Sequence, residues 1–155
     1  MLQRIQTVYL LIVAGLFIAL MFLPLALLQS EDVSYIFEVT GLISTAQPSD
    51  LEYPTWSLLV INAIIILLSF IIIFKYKKRI VQMRMCIFNI FLMLGFCALF
   101  GFYIWQFSKS PELLDLKISM RLWASFPIIA IIINYLAIRS IGSDEVLVRS
   151  LERLR

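Results

Sequence analysis

Apolar positions along the chain gather into four long runs, 7–28, 56–74, 85–107 and 122–138, the last reaching on to 141. Polar residues are largely confined to the segments between them. Each run approaches the ~20 residues a helix needs to cross a hydrocarbon core of roughly 30 Å. None of them, taken to residue 138, contains Lys, Arg, Asp or Glu. In hydrocarbon every backbone N–H and C=O must bond internally, so such runs become helices. The β-branched stretches Ile64-Ile65-Ile66 and Ile71-Ile72-Ile73 would favour strands in water; a lipid solvent overrides that preference. The expected fold is an all-α integral membrane protein, a four-transmembrane-helix bundle forming one domain over 1–155. Pro24 is expected to kink the outer end of the first run, and Pro127 sits early in the fourth, where a missing N–H costs least. The first run is read as a retained helix: its 22 residues exceed the ~7–15 of a leader's apolar region, and no Ala-x-Ala site follows it.

The pattern changes period in the outer loops. In the loop 29–55, Val33, Tyr35, Phe37 and Val39 alternate with Ser34, Glu38 and Thr40, Ile36 being the exception, which predicts a strand over 33–40. Gly41 permits a turn, after which 42–45 can pair back, and 47–50 reads as an irregular return. A second alternation, 114–118, precedes the fourth run. Pairing it with the first-loop strand gives a three-stranded extracytoplasmic β cap, with Tyr35, Phe37 and Val39 as an apolar face packed on the helix ends. Beyond the fourth run, Gly142 and Ser143 predict a stop and a fresh N-cap, with Asp144 and Glu145 in the first turn of a short amphipathic tail helix, 143–155. Leu147, Leu151 and Leu154 form its stripe. Twelve or so residues do not hold a helix alone in water, so the tail needs the membrane surface, the bundle or a partner.

Charge sets the orientation. Of thirteen basic residues, ten lie on one side: Arg4, then Lys75, Lys77, Lys78, Arg79 and Arg84, then Arg139, Arg149, Arg153 and Arg155. Lys109, Lys117 and Arg121 lie on the other. The positive-inside rule places both termini and the 75–84 turn in the cytoplasm. The net charge of +3 hides this asymmetry, and no nucleic-acid partner is implied.

Composition narrows the chemistry. The chain is 62% hydrophobic and 15% charged, with no histidine, which removes imidazole bases, His-ligated metals and His triads. Cys86 and Cys97 stand eleven apart on one predicted helix, roughly 16 Å, without metal or redox spacing. The acid pairs Glu31-Asp32 and Asp144-Glu145 read as a solvated loop edge and a helix N-terminus. No phosphate-binding or nucleophile motif occurs, so no catalytic, cofactor or metal residue is expected. Within the runs the polar residues of note are Asn62, Asn89 and Asn134. They are expected to face the bundle interior and bond across helices, with a ligand or ion path as the alternative. Tyr9, Trp56, Tyr76, Tyr103, Trp105 and Trp123 stand near run ends, as interfacial aromatics do.

The opening Met1-Leu2-Gln3-Arg4-Ile5-Gln6-Thr7-Val8-Tyr9-Leu10-Leu11 and the ending Asp144-Glu145-Val146-Leu147-Val148-Arg149-Ser150-Leu151-Glu152-Arg153-Leu154-Arg155 resemble those of a family of small Bacteroidetes membrane proteins, domain of unknown function 4293. The resemblance implies a bacterial inner-membrane protein with a periplasmic first loop, and brings no activity or catalytic residue. In architecture alone the layout is similar to claudins. The claudin Trp and paired Cys are missing from the first loop, so no junction-forming role follows.

Groups for chemistry are scarce while binding elements are plentiful. The expectation is a non-enzymatic accessory or scaffold subunit of a membrane assembly, in secretion or envelope biogenesis. Arg149, Arg153, Arg155, Lys75, Lys77, Lys78 and Arg79 would contact partner subunits or membrane lipids. The alternative is a lipid- or small-molecule-binding protein, or an oligomeric transporter, with a cavity lined by Asn62, Asn89 or Asn134. Homo-oligomerisation is compatible with either.

Overall fold

The computed structural model describes residues 3–29, 34–45, 51–75, 78–109 and 117–153. Four helices, α1 (Gln3–Leu20), α2 (Trp56–Phe74), α3 (Arg79–Lys109) and α4 (Phe126–Arg153), carry a small antiparallel sheet at one end of the bundle. Of these, α2, α3 and the stretch Leu122–Val146 containing α4 are long and apolar enough to cross a membrane. Each helix packs on two neighbours in a closed ring, α1 on α2, α2 on α3, α3 on α4 and α4 on α1.

A spacing of alternating threes and fours organises the core. The inward positions are Gln6, Leu10, Val13, Phe17 and Leu20 on α1; Leu58, Asn62, Ile65, Ser69 and Ile72 on α2; Gln82, Cys86, Asn89, Met93 and Phe96 on α3; Ala130, Asn134, Ala137, Ile141 and Asp144 on α4. This is the 3.5-residue repeat of a coiled-coil seam. The outward faces are the more apolar ones: Val8, Leu11, Leu67, Phe88, Phe91, Ile128 and Ile132 are all exposed, while seven polar residues occupy the seam. A soluble bundle has the opposite polarity; a lipid solvent accounts for this one.

The first apolar run departs from the expected helix to residue 28. Helix α1 ends at Leu20, and Ala26–Gln29 form strand β1. The cause is Pro24, which cannot donate to Leu20 and pushes Leu23 out of the helical region, so the helix stops where a kink was expected. The last turn tightens: Met21 N–H bonds to Ile18 O and Phe22 N–H to Ala19 O, both at 3.1 Å. Strand β1 is an interior strand of a five-stranded sheet ordered β4-β3-β2-β1-β5, with β2 Ser34–Phe37, β3 Gly41–Ser44, β4 Leu51–Pro54 and β5 Lys117–Met120. Pairing on both sides satisfies its backbone, so the Leu-rich segment can be buried away from water.

The expected cap is thus present in a different form. Of the expected 33–40 strand the described part, Ser34–Phe37, ends three residues early, and Phe37 pairs with Leu42 across a turn over 38–40, as the pair-back from Gly41 requires. The second-loop strand pairs with β1, Leu28 opposite Ile118, and not with β2. Strand β4, not anticipated from the sequence, forms over 51–54, and its Pro54 sits on an edge strand, where a missing donor is tolerated. Residues 47–50 lie outside the described residues.

The sheet stands on the upper part of α3. With 31 residues α3 is ~46 Å long, well beyond a hydrocarbon core of about 30 Å. Phe37, fully buried, stacks on Phe100 with ring centroids 5.7 Å apart and meets Phe107 edge-on at 5.5 Å; Tyr53 meets Phe107 at 5.9 Å. Val39 is buried beside it and Tyr35 packs on the same cluster, as the period-2 face predicts. Thr55 ties the sheet to α2: its hydroxyl donates to Val39 O at 3.0 Å instead of capping the helix.

At the opposite end α4 is uninterrupted. Gly142 does not stop it, and Ser143 does not cap a new helix, its hydroxyl donating back to Arg139 O at 3.0 Å. The separate tail helix is replaced by a single 28-residue helix running to Arg153. Gly142 sits in ordinary helical backbone, and a Cβ there would make only a van der Waals contact, 3.5 Å from Met83 Cε.

Candidate functional site

Polar side chains in the seam form two groups, one at the end bearing the termini and one within the bundle. At the terminal end Gln6 Nε2 donates to Asp144 Oδ2 at 2.6 Å, with both residues buried. Arg79, at the start of α3, donates from a guanidinium nitrogen to Asp144 O at 3.0 Å. Gln82 lies one turn further along α3, 3% exposed. Three helices are thereby tied at one point. Asp144 does not stand in the first turn of a new tail helix as expected: α4 is continuous, and the seam spacing carries residue 144 inward.

The second group contains the expected asparagines, all fully buried. Asn62 Nδ2 donates to Phe17 O at 3.2 Å. That carbonyl belongs to the last turn of α1, and its usual donor, Met21 N–H, has turned to Ile18 O. Asn62 therefore caps α1 from across the bundle. Asn89 Nδ2 donates to Ser69 Oγ at 3.1 Å, and that hydroxyl donates onward to Ile65 O at 2.8 Å. Asn134 Nδ2 donates to Cys86 O at 3.2 Å. Each amide bonds to a neighbouring helix, as intramembrane asparagine requires. Each Oδ1 is left without a partner among the described residues.

The basic residues singled out from the sequence divide differently. Lys75 caps the end of α2 through its backbone N–H, and Lys75 and Lys78 have exposed side chains. Among the described side chains of this set, Arg79 alone is drawn into the bundle. Lys77 and Arg155 lie outside the described residues; Arg149 and Arg153 continue α4, and their side chains are not described. Arg84 and Arg139 are exposed at the same end. At the sheet end Phe22, Trp56, Trp105 and Leu122 are exposed, and Lys109 Nζ lies 4.2 Å from the Trp105 ring centroid.

Sequence reading missed Gln6, Gln82 and Asp144. The available signal was the three-four spacing, which extends from Leu10 back to Gln6 and from Ile141 on to Asp144. Among the described residues no group of three Cys, Asp or Glu is placed to hold a metal ion.

A family profile described as Domain of unknown function (DUF4293) matches residues 2–154. No curated protein and no solved structure matches the chain.

Proposed function

The chain belongs to the DUF4293 family, and we propose that it is a non-enzymatic accessory or scaffold subunit of an assembly in a bacterial inner membrane. The observation that carries this reading is the continuity of α4 through a fixed clamp. Beyond Asp144 the helix runs nine more residues, ~13 Å, in line with its apolar part. An interfacial anchor would break and lie flat; a helix held upright by Gln6 and Arg79 carries positions 149 and 153 past the clamp. At the other end a five-stranded sheet is fixed to α3 by an aromatic cluster. The buried polar groups bond within the bundle, while both ends carry rigid elements.

In this reading α1 is a fourth span. Its 18 residues cover ~27 Å, and Ile5, Val8, Leu11, Ile12 and Ile18 are exposed along it, as on a lipid-facing helix. The likeness to claudins is one of layout only. The ten-to-three division of basic residues puts the termini in the cytoplasm and the sheet in the periplasm. Lys75, Lys78, Arg84 and Arg139 then meet lipid phosphates, and secretion or envelope biogenesis suits a protein with binding elements on both sides. Purification in mild detergent tests the proposal: a partner should co-purify stoichiometrically with the full chain and be lost when 145–155 are removed. A chain that is reproducibly bare refutes it.

A further inference from the structure

The apolar core is not continuous. One cluster holds Leu10, Ile72, Cys86, Ala137 and Ile141 near the terminal end; the other runs from Val13, Ile65 and Met93 up to the sheet. Ser69, Asn89 and Asn134 lie on the seam between them. The identities of their amide atoms follow from their partners. Asn134 faces a carbonyl, so the atom there is the donor nitrogen. Ser69 has given its proton to Ile65 O, so it accepts from Asn89 Nδ2. Neither carboxamide can be flipped without losing a bond. Asn89 Oδ1 and Asn134 Oδ1 are consequently acceptors, fully buried and unpartnered among the described residues.

Buried acceptors in native proteins find donors, and a layer in a low-dielectric core has particular need of them. We propose that this layer binds water, whose O–H groups donate to Asn89 Oδ1 and Asn134 Oδ1. Two observations select a neutral donor over a cation. The layer contains no carboxylate, and the nearest acid on α4, Asp144, is ten residues or ~15 Å along the helix. An unpaired charge there would carry a large desolvation cost. Water is the smallest neutral donor and characteristically makes about three hydrogen bonds in such sites. Asn62 stands seven residues along α2 from Ser69, within the other cluster beside Phe17 and Phe96, and is not part of this layer. The proposal does not depend on a scaffold role. A register-setting role alone would use the amide donors and leave the carbonyls without a function.

The test is cross-relaxation NMR on the full chain in phosphatidylglycerol nanodiscs, with the asparagine side-chain amides isotopically labelled. Asn89→Gln and Asn134→Gln variants assign the signals while keeping a carboxamide at each site. Long-lived water should give cross-peaks of dipolar sign to the amide protons of Asn89 and Asn134, each moved by its own substitution. Amides that show no water contact overturn the proposal. So does a carboxamide–carboxamide bond between Asn89 and Asn134. A retained neutral solute, read as a mass increment in native mass spectrometry, overturns the assignment to water.

Discussion

Replacing Phe37 by alanine should release the sheet from the bundle without unfolding the helices. The ring is fully buried between Phe100, Tyr103 and Phe107, at centroid distances of 5.7, 6.4 and 5.5 Å. Phe→Ala in a packed core costs about 3–5 kcal/mol, the void remaining because neighbours relax only partly. Taking ~3 kcal/mol, and tenfold for each 1.4 kcal/mol, the open population of the sheet rises roughly 100-fold. Hydrogen exchange reads this directly, since regions held by few contacts open separately from the rest. Amides of 34–45 and 51–53 should exchange about 100-fold faster in Phe37→Ala, while the seam amides of α2 and α3 keep their protection. Phe102→Ala is the control: that ring is 51% exposed and its ring contacts are with Tyr103, at the cluster's edge, and the exposed Trp105, so exchange should hardly change. Unaltered sheet protection in Phe37→Ala, or equal loss everywhere, would refute the claim that this cluster specifically fixes the sheet to α3.

Other substitutions separate roles that look alike in sequence. Asn62→Leu strands a carbonyl in the last turn of α1, and should cost about 1–3 kcal/mol in a detergent unfolding titration. Asn134→Leu removes a bond to a mid-helix carbonyl and should cost measurably less. Asp144→Ala leaves Gln6 Nε2 without its charged partner and should cost about 1.5–3 kcal/mol, with Asp144→Asn milder because it keeps an acceptor oxygen; thermal unfolding orders the two. Gly95→Ala should be tolerated, as its Cβ meets only the mobile tip of Ile61, Cδ1 at 3.3 Å. Gly95→Leu should wedge α2 from α3 and lose roughly 1–3 kcal/mol in the same assay.

The inward asparagines were legible because hydrocarbon leaves an amide little choice, and the Phe37 face because period-2 alternation survives in a loop. Strand β1 was not: Leu25-Ala26-Leu27-Leu28 reads like the end of a span, and only Pro24 marks the change. Strand β4 is too short and ends in proline. Asp144 was misread from local grammar. Gly142-Ser143-Asp144-Glu145 has the form of a helix stop and restart, yet the seam spacing through Ala137 and Ile141 dictates burial. Where local capping signals and the long-range repeat disagree, packing decides. The partner of β5 depended on how far α1 extends, so no pattern in residues 114–120 alone contained it.

The proposed function rests on a sidedness in which all four helices would cross the bilayer, with the sheet outside and the termini inside. With Cys86 and Cys97 replaced by Ser, single cysteines at the exposed positions Thr45 and Ser143 and a cleavable N-terminal tag report it in intact cells. Thr45→Cys should react with a membrane-impermeant maleimide at once. Ser143→Cys should react, and the tag be cleaved, only after permeabilisation. A tag cleaved in intact cells while Thr45→Cys reacts would put both ends of α1 on one side and contradict the four-span account.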